Sequence, residues 1–116
     1  MKLEKVKQIL GAKLWTGEEH LDYEVYSACG CDLMSDVLAF ASDNVVLLTG
    51  LINSQVIRTA EMLDIRVIVF VRGKSPNEEM IKLAKEKDMT IFSTNDALYV
   101  ACGKLYEAGL KGKGEA

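Results

Sequence analysis

The chain has 116 residues, 49% of them hydrophobic and 27% charged, with a formal net charge of −3; this fits one globular domain and excludes disorder over most of its length. A pI near 5.2 and scattered arginines, Arg58, Arg66 and Arg72, exclude a nucleic-acid surface, which needs clustered Lys and Arg. No apolar run approaches the roughly 18 residues that span a bilayer, and the opening Met1-Lys2-Leu3-Glu4-Lys5 lacks the apolar core of a signal peptide. A cytoplasmic location without membrane partners is therefore expected, with Cys29, Cys31 and Cys102 as reduced thiols.

Leu3, Val6, Ile9 and Leu10 recur at helical spacing and predict an opening helix with one buried stripe. Gly11 fits its end, where a left-handed residue is easiest for glycine. Residues 12–15 read as a short strand and 16–20 as a polar turn, after which Leu21, Tyr23 and Val25 alternate like a half-buried strand. A further strand is expected over 25–30, then a helix carrying Leu33, Val37, Leu38 and Ala41, capped by Asp32 or Ser35.

Asp43-Asn44 turns into the apolar strand 45–49. Asn53 or Ser54 caps the next helix, whose inner stripe is Val56, Ile57, Ala60 and Leu63 and which Asp64 closes. A strand over 66–71 follows, and Ser75-Pro76 opens a helix with serine as cap and proline in the first turn. Met80, Leu83 and Ala84 form its inner face, and Glu78 and Lys82 an outer pair. The strand 90–93 and the capping cluster Thr94-Asn95-Asp96 lead to a last helix burying Leu98, Ala101, Cys102 and Leu105. Tyr99 and Tyr106 read as packing or interface groups. The domain is expected over 1–110, with 111–116 as a flexible tail.

This alternation predicts a single-domain α/β fold, a three-layer α/β/α sandwich around a mainly parallel sheet. Ligands of open α/β sheets collect at the carboxyl ends of the strands, so the loops there are the candidate site. Thr49, Gly50, Asn53 and Ser54 lie in one, and Arg72, Gly73, Lys74 and Ser75 in the next. Glycines let backbone approach a ligand, helix N-termini offer free N–H groups, and two cations add charge, a combination suited to a phosphate or carboxylate. Glycine and capping residues are also what βα turns require for their own sake. No dinucleotide fingerprint or Walker-type loop is present.

Cys29-x-Cys31 suggests metal or redox chemistry, but a structural zinc site needs four ligands, and only Cys102 and His20 remain to complete one. No resident metal or cofactor is expected. A catalytic triad would have to use His20, far in sequence from the candidate loops, while Asp32, Asp36 and Asp96 are explained as helix-start acids. A non-enzymatic reading follows.

From about Leu3 to Leu110 the chain resembles a DRTGG domain of the short stand-alone kind. The resemblance rests on Leu3-Glu4-Lys5-Val6, Ile9-Leu10-Gly11-Ala12 and Gly17, then on the run from Asp32 to Ala39 and on Leu48-Thr49-Gly50. The strand-turn Val67-Ile68-Val69-Phe70-Val71-Arg72-Gly73 and Met80-Ile81-Lys82-Leu83-Ala84 complete it. The chain departs at the residues that name the family: Gly50-Leu51-Ile52-Asn53 stands where Gly-Asp-Arg is usual, and Val71-Arg72-Gly73 where Thr-Gly-Gly is usual. The resemblance implies a regulatory or sensory module similar in fold to the N-terminal domain of HPr kinase. Relatives accompany CBS domains or assist dimerisation, and stand-alone ones are associated with iron-only hydrogenase gene clusters. It thus implies a homodimer or another protein partner; the small anionic ligand is expected from the loop residues alone, since in the CBS-containing relatives the nucleotide is held mainly by the CBS part.

Overall fold

The computed structural model describes residues 1–40 and 44–113. Five strands form one sheet in the order β1-β5-β4-β3-β2: β1 (Lys13–Thr16), β2 (Ser27–Gly30), β3 (Val45–Thr49), β4 (Val67–Phe70) and β5 (Thr90–Ser93). Strands β2 to β5 are parallel, and β1 pairs antiparallel with β5 through Lys13↔Ser93 and Leu14↔Phe92. Every residue of β3 and β4 is buried, the outcome their unbroken apolar runs require of strands covered on both faces.

The helices are α1 (Leu3–Leu10), α2 (Met34–Phe40), α3 (Ser54–Met62), α4 (Glu78–Glu86) and α5 (Leu98–Glu107). Strand order follows chain order from β2 to β5, so right-handed crossovers all fall on one face. The core divides accordingly. Val37, Val56, Ile57, Ala60, Met80 and Ala84 from α2, α3 and α4 pack with Leu47, Ile68, Phe70 and Ile91. Leu3, Val6, Leu10, Ala101 and Leu105 from α1 and α5 pack on the opposite face with Val46, Leu48, Val69 and Phe92. The expected α/β/α sandwich is the observed one, with β1 as its antiparallel member.

Several local expectations are corrected. The alternation of Leu21, Tyr23 and Val25 does not make a sheet strand. The carbonyls of Leu21 and Tyr23 instead accept from the N–H groups of Glu4 and Leu3 at 3.1 and 3.0 Å, closing the otherwise unpaired first turn of α1. Asp32 does not cap α2, and Leu33 and Leu38 face outward at 59% and 53% exposure while Val37 is fully buried. Ala41, Asp43 and residues 114–116 lie outside the described residues. On the outer edge of β2, the Lys111 carbonyl accepts from the Ala28 N–H at 2.9 Å.

The cap of α4 is Asn77, not Ser75: its Oδ1 accepts from the Met80 N–H at 2.9 Å, and the helix starts at Glu78. Pro76 is buried in the approach to it. Asn77→Ala is expected to lower stability by about 1 kcal/mol, a fall in Tm of about 4 °C for a domain of this size, read by urea and thermal melts. Asp96 likewise leaves the cap position of α5 to Ala97.

Candidate functional site

Because β2 to β5 run the same way, their following loops share one rim. The loops carrying Gly50 and Gly73 meet there: the Lys74 Nζ donates to the Gly50 carbonyl at 2.7 Å, and the Arg72 guanidinium lies so close to Gly50 that a side chain there would collide with it. Arg72 and Gly73 are both left-handed, with φ of 61° and 70°. Such a backbone is natural for glycine but not for arginine, and is held only where surrounding bonds impose it. Those bonds are present. The Arg72 N–H donates to the Asp96 carbonyl at 2.8 Å and the Gly73 N–H to the Thr94 carbonyl at 2.9 Å, tying the loop after β4 to the loop after β5.

The centre of the rim is Asp32, in the loop after β2, a residue whose position at a helix start explains it as a cap. Asp32 Oδ1 accepts from the Gly50 N–H at 2.7 Å and from the Thr49 hydroxyl at 3.0 Å, and its Oδ2 lies 4.0 Å from Arg72 Nη2. The Gly50 hydrogen bond, with smaller help from Thr49, Arg72 and Lys74, holds its carboxyl below the usual range against the cost of desolvation. An acid just ahead of a helix already has a local explanation, so only the departure of α2's start to Met34 betrays its other role. Asp32 therefore takes the backbone donor, hydroxyl and guanidinium that a bound anion would use.

The other site residues divide. Thr49 is fully buried and its hydroxyl also accepts from the Leu51 N–H at 3.1 Å. Asn53 caps α3 by accepting from the Val56 N–H at 3.1 Å. Ser54 turns to Glu79 at 3.4 Å, and Ser75 is exposed on the approach to α4. The residues that the rim joins are thus Asp32, Thr49, Gly50, Arg72 and Lys74, with Gly73 beside them and Arg72 and Asp32 about half exposed (51% and 50%).

The cysteines are split by the sheet. Cys29 and Cys31 belong to the α2–α4 side, whereas the Cys102 sulfur sits against Gly30 from the α5 side. Burial raises the pKa of both Cys29 and Cys102, which opposes thiolate formation. Among the described residues, the group of three close potential ligand atoms is instead Glu19, His20 and Asp88. There the His20 Nε2 lies 2.8 Å from Asp88 Oδ1, ahead of β5 at the end of the sheet remote from the rim. Among the described residues, no helix is long and apolar enough to cross a membrane.

No family model matches the chain, and neither does any curated protein. Among solved structures, it is similar to the CBS and DRTGG domains of the regulatory region of Clostridium perfringens pyrophosphatase, crystallised with the activator diadenosine tetraphosphate. The TM-score is 0.75 at 16% identity, over 99% of this chain. The likeness is one of fold. The chain spans about half, 52%, of the length of that regulatory region.

Proposed function

We propose that the chain is a non-enzymatic regulatory domain of DRTGG type, whose strand-end rim binds a small anionic, nucleotide- or phosphate-like ligand. The observation that carries this reading is the Arg72 guanidinium, laid over a glycine and half exposed beside the Gly50 N–H and Thr49 hydroxyl that Asp32 occupies. A ligand phosphate or carboxylate would exchange with the Asp32 carboxylate, accept the same two hydrogen bonds and pair with Arg72 and Lys74. Binding would thereby move the loop between β2 and α2, a physical route from ligand to regulatory output. The fold shared with a regulatory region crystallised with a polyphosphate activator supports the same ligand class.

The test is a thermal melt in the presence of ADP, inorganic phosphate or acetyl phosphate. A ligand of the folded state raises Tm, and Arg72→Ala is expected to abolish the rise while leaving the unliganded Tm within about 2 °C, since its ion pair is exposed. A rise that survives Arg72→Ala, or none with any of the three, counts against the rim. A second reading, an interaction module, is favoured by one observation: the outer face of α5 is apolar.

A further inference from the structure

At the end of the sheet opposite the rim, three ligand atoms converge from two distant parts of the chain. Glu19 and His20 lie in a single 3₁₀ turn, Glu18–His20, that follows β1, and Asp88 lies in the turn between α4 and β5. His20 Nε2 is 2.8 Å from Asp88 Oδ1 and 3.5 Å from Glu19 Oε1, and all three atoms lie within 4.8 Å of one another. One ring nitrogen carries at most one hydrogen, so it serves one carboxylate at a time. The Asp88 contact is a hydrogen bond, and the Glu19 contact is too long to be one. Both carboxylates are nevertheless gathered to the same nitrogen.

We propose that Glu19, His20 and Asp88 bind a divalent first-row transition ion of the zinc type, through His20 Nε2 and one oxygen of each carboxylate. Tetrahedral zinc with nitrogen and oxygen ligands at about 2.0–2.2 Å sets neighbouring ligand atoms about 3.4 Å apart. The 2.8 and 3.5 Å separations straddle that value, so small rotations of the two exposed acids admit the ion. Its two positive charges balance the two carboxylates. Three protein ligands leave a fourth position for water, and the adjoining cavity of about 30 Å³, lined by His20, Tyr23, Arg66, Val67, Asp88 and Thr90, has room for one.

The two turns are fastened to each other by the fold itself. Thr16 Oγ1 donates to the Met89 carbonyl at 2.7 Å, and Gly17 lies directly on Thr90. The His20 N–H donates to the Gly17 carbonyl at 2.9 Å, and the Met89 N–H to the Ala84 carbonyl at 2.9 Å. Little further ordering is therefore needed when an ion enters. Neighbouring cations narrow the choice of ion. Lys87 turns away to Glu61 at 3.0 Å, but Arg66 lines the cavity and repels every cation alike. Magnesium and calcium, held by charge and oxygen ligands alone, lose to that repulsion. An ion that gains from an imidazole nitrogen overcomes it. Bound there, it clips the turn after β1 to the turn before β5, across the 68 residues that separate His20 from Asp88.

Calorimetric titration of zinc alone into the whole chain tests the proposal independently of any rim ligand. One zinc per chain is expected, with Tm raised by about 10 °C at a free zinc concentration about a hundred times Kd. His20→Gln and Asp88→Asn, both at the surface, are each expected to weaken binding by more than about tenfold, the least that losing even an outer-shell partner costs, with unchanged far-UV circular dichroism. Cobalt in place of zinc locates the ion: it should broaden the amide resonances around His20 and Asp88 and give no thiolate charge-transfer absorption in the near ultraviolet. No saturable zinc binding, binding that survives both substitutions, magnesium bound as tightly as zinc, or a thiolate band from the cysteines would each overturn the assignment.

Discussion

Asp32→Asn is expected to tighten the binding of ADP at the rim about tenfold, a gain of roughly 1.4 kcal/mol. The asparagine side-chain oxygen can still accept from the Gly50 N–H and the Thr49 hydroxyl, which Asp32 now satisfies at 2.7 and 3.0 Å, so the loop keeps its shape. What changes is charge. Asp32, Arg72 and Lys74 sum to one positive charge in the wild type and two in the variant. A carboxylate about 4 Å from a phosphate repels it by about 1 kcal/mol in water and more in a partly desolvated loop, and half-exposed groups lie toward the watery limit. Because the Gly50 hydrogen bond holds the Asp32 carboxyl below its usual range, that competitor is fully ionised at neutral pH. Calorimetric titration of ADP into both proteins, repeated at raised salt, reads the difference and its screening. Equal affinities would mean that Asp32 and the ligand do not compete.

Gly17→Ala is expected to cost about 3 kcal/mol and to lower Tm by 10 °C or more. Gly17 has φ 88°, and a Cβ there would strike the Thr90 hydroxyl and lie 2.7 Å from the Thr90 Cα. Neither side can yield cheaply. Thr90 begins β5, its neighbour Ile91 is the partner of Thr16 across the β1–β5 ladder, and Thr16 Oγ1 donates to the Met89 carbonyl at 2.7 Å. The clash therefore falls where the antiparallel edge strand is fastened to the parallel sheet. Gly11 serves as the control: its φ of 57° is also left-handed, but nothing lies within 4 Å of a Cβ, so Gly11→Ala should lose only about 1 kcal/mol of backbone strain. Urea unfolding of the two variants separates contact from conformation, and equal losses would show the Thr90 contact to be immaterial.

The parts of the fold legible in the sequence were those with a single physical cause. Strand β3 came out at residues 45–49 and β5 at 90–93 as expected, and α1 ended at a left-handed Gly11, because an apolar run or a glycine stop has few other readings. The common rim was legible for the same reason, following from parallel strand direction alone. Misread positions were those where a local explanation competed with a distant partner. Asp32 looks like a cap but bonds Gly50, eighteen residues on. Asp96 looks like a cap but holds Lys104 at 2.8 Å. The 21–25 segment alternates like a sheet strand, yet its carbonyls serve the start of α1. Side-chain hydrogen bonds to remote backbone leave no periodic trace, so the bond from Gly50 to Asp32 was not legible while the loops that carry both residues were.

The central claim, that the loops after β2, β3 and β4 form one ligand-responsive rim, is tested most directly by titrating the ¹⁵N-labelled protein with ADP and following its amide resonances. Saturable shifts are predicted at Gly50, Leu51, Gly73 and Lys74, with Asp32 and its neighbours moving as the carboxylate is displaced, and with all of them lost in Arg72→Ala. Unperturbed rim amides at high ADP, or shifts gathered instead around His20 and Asp88 at the far end of the sheet, would contradict it.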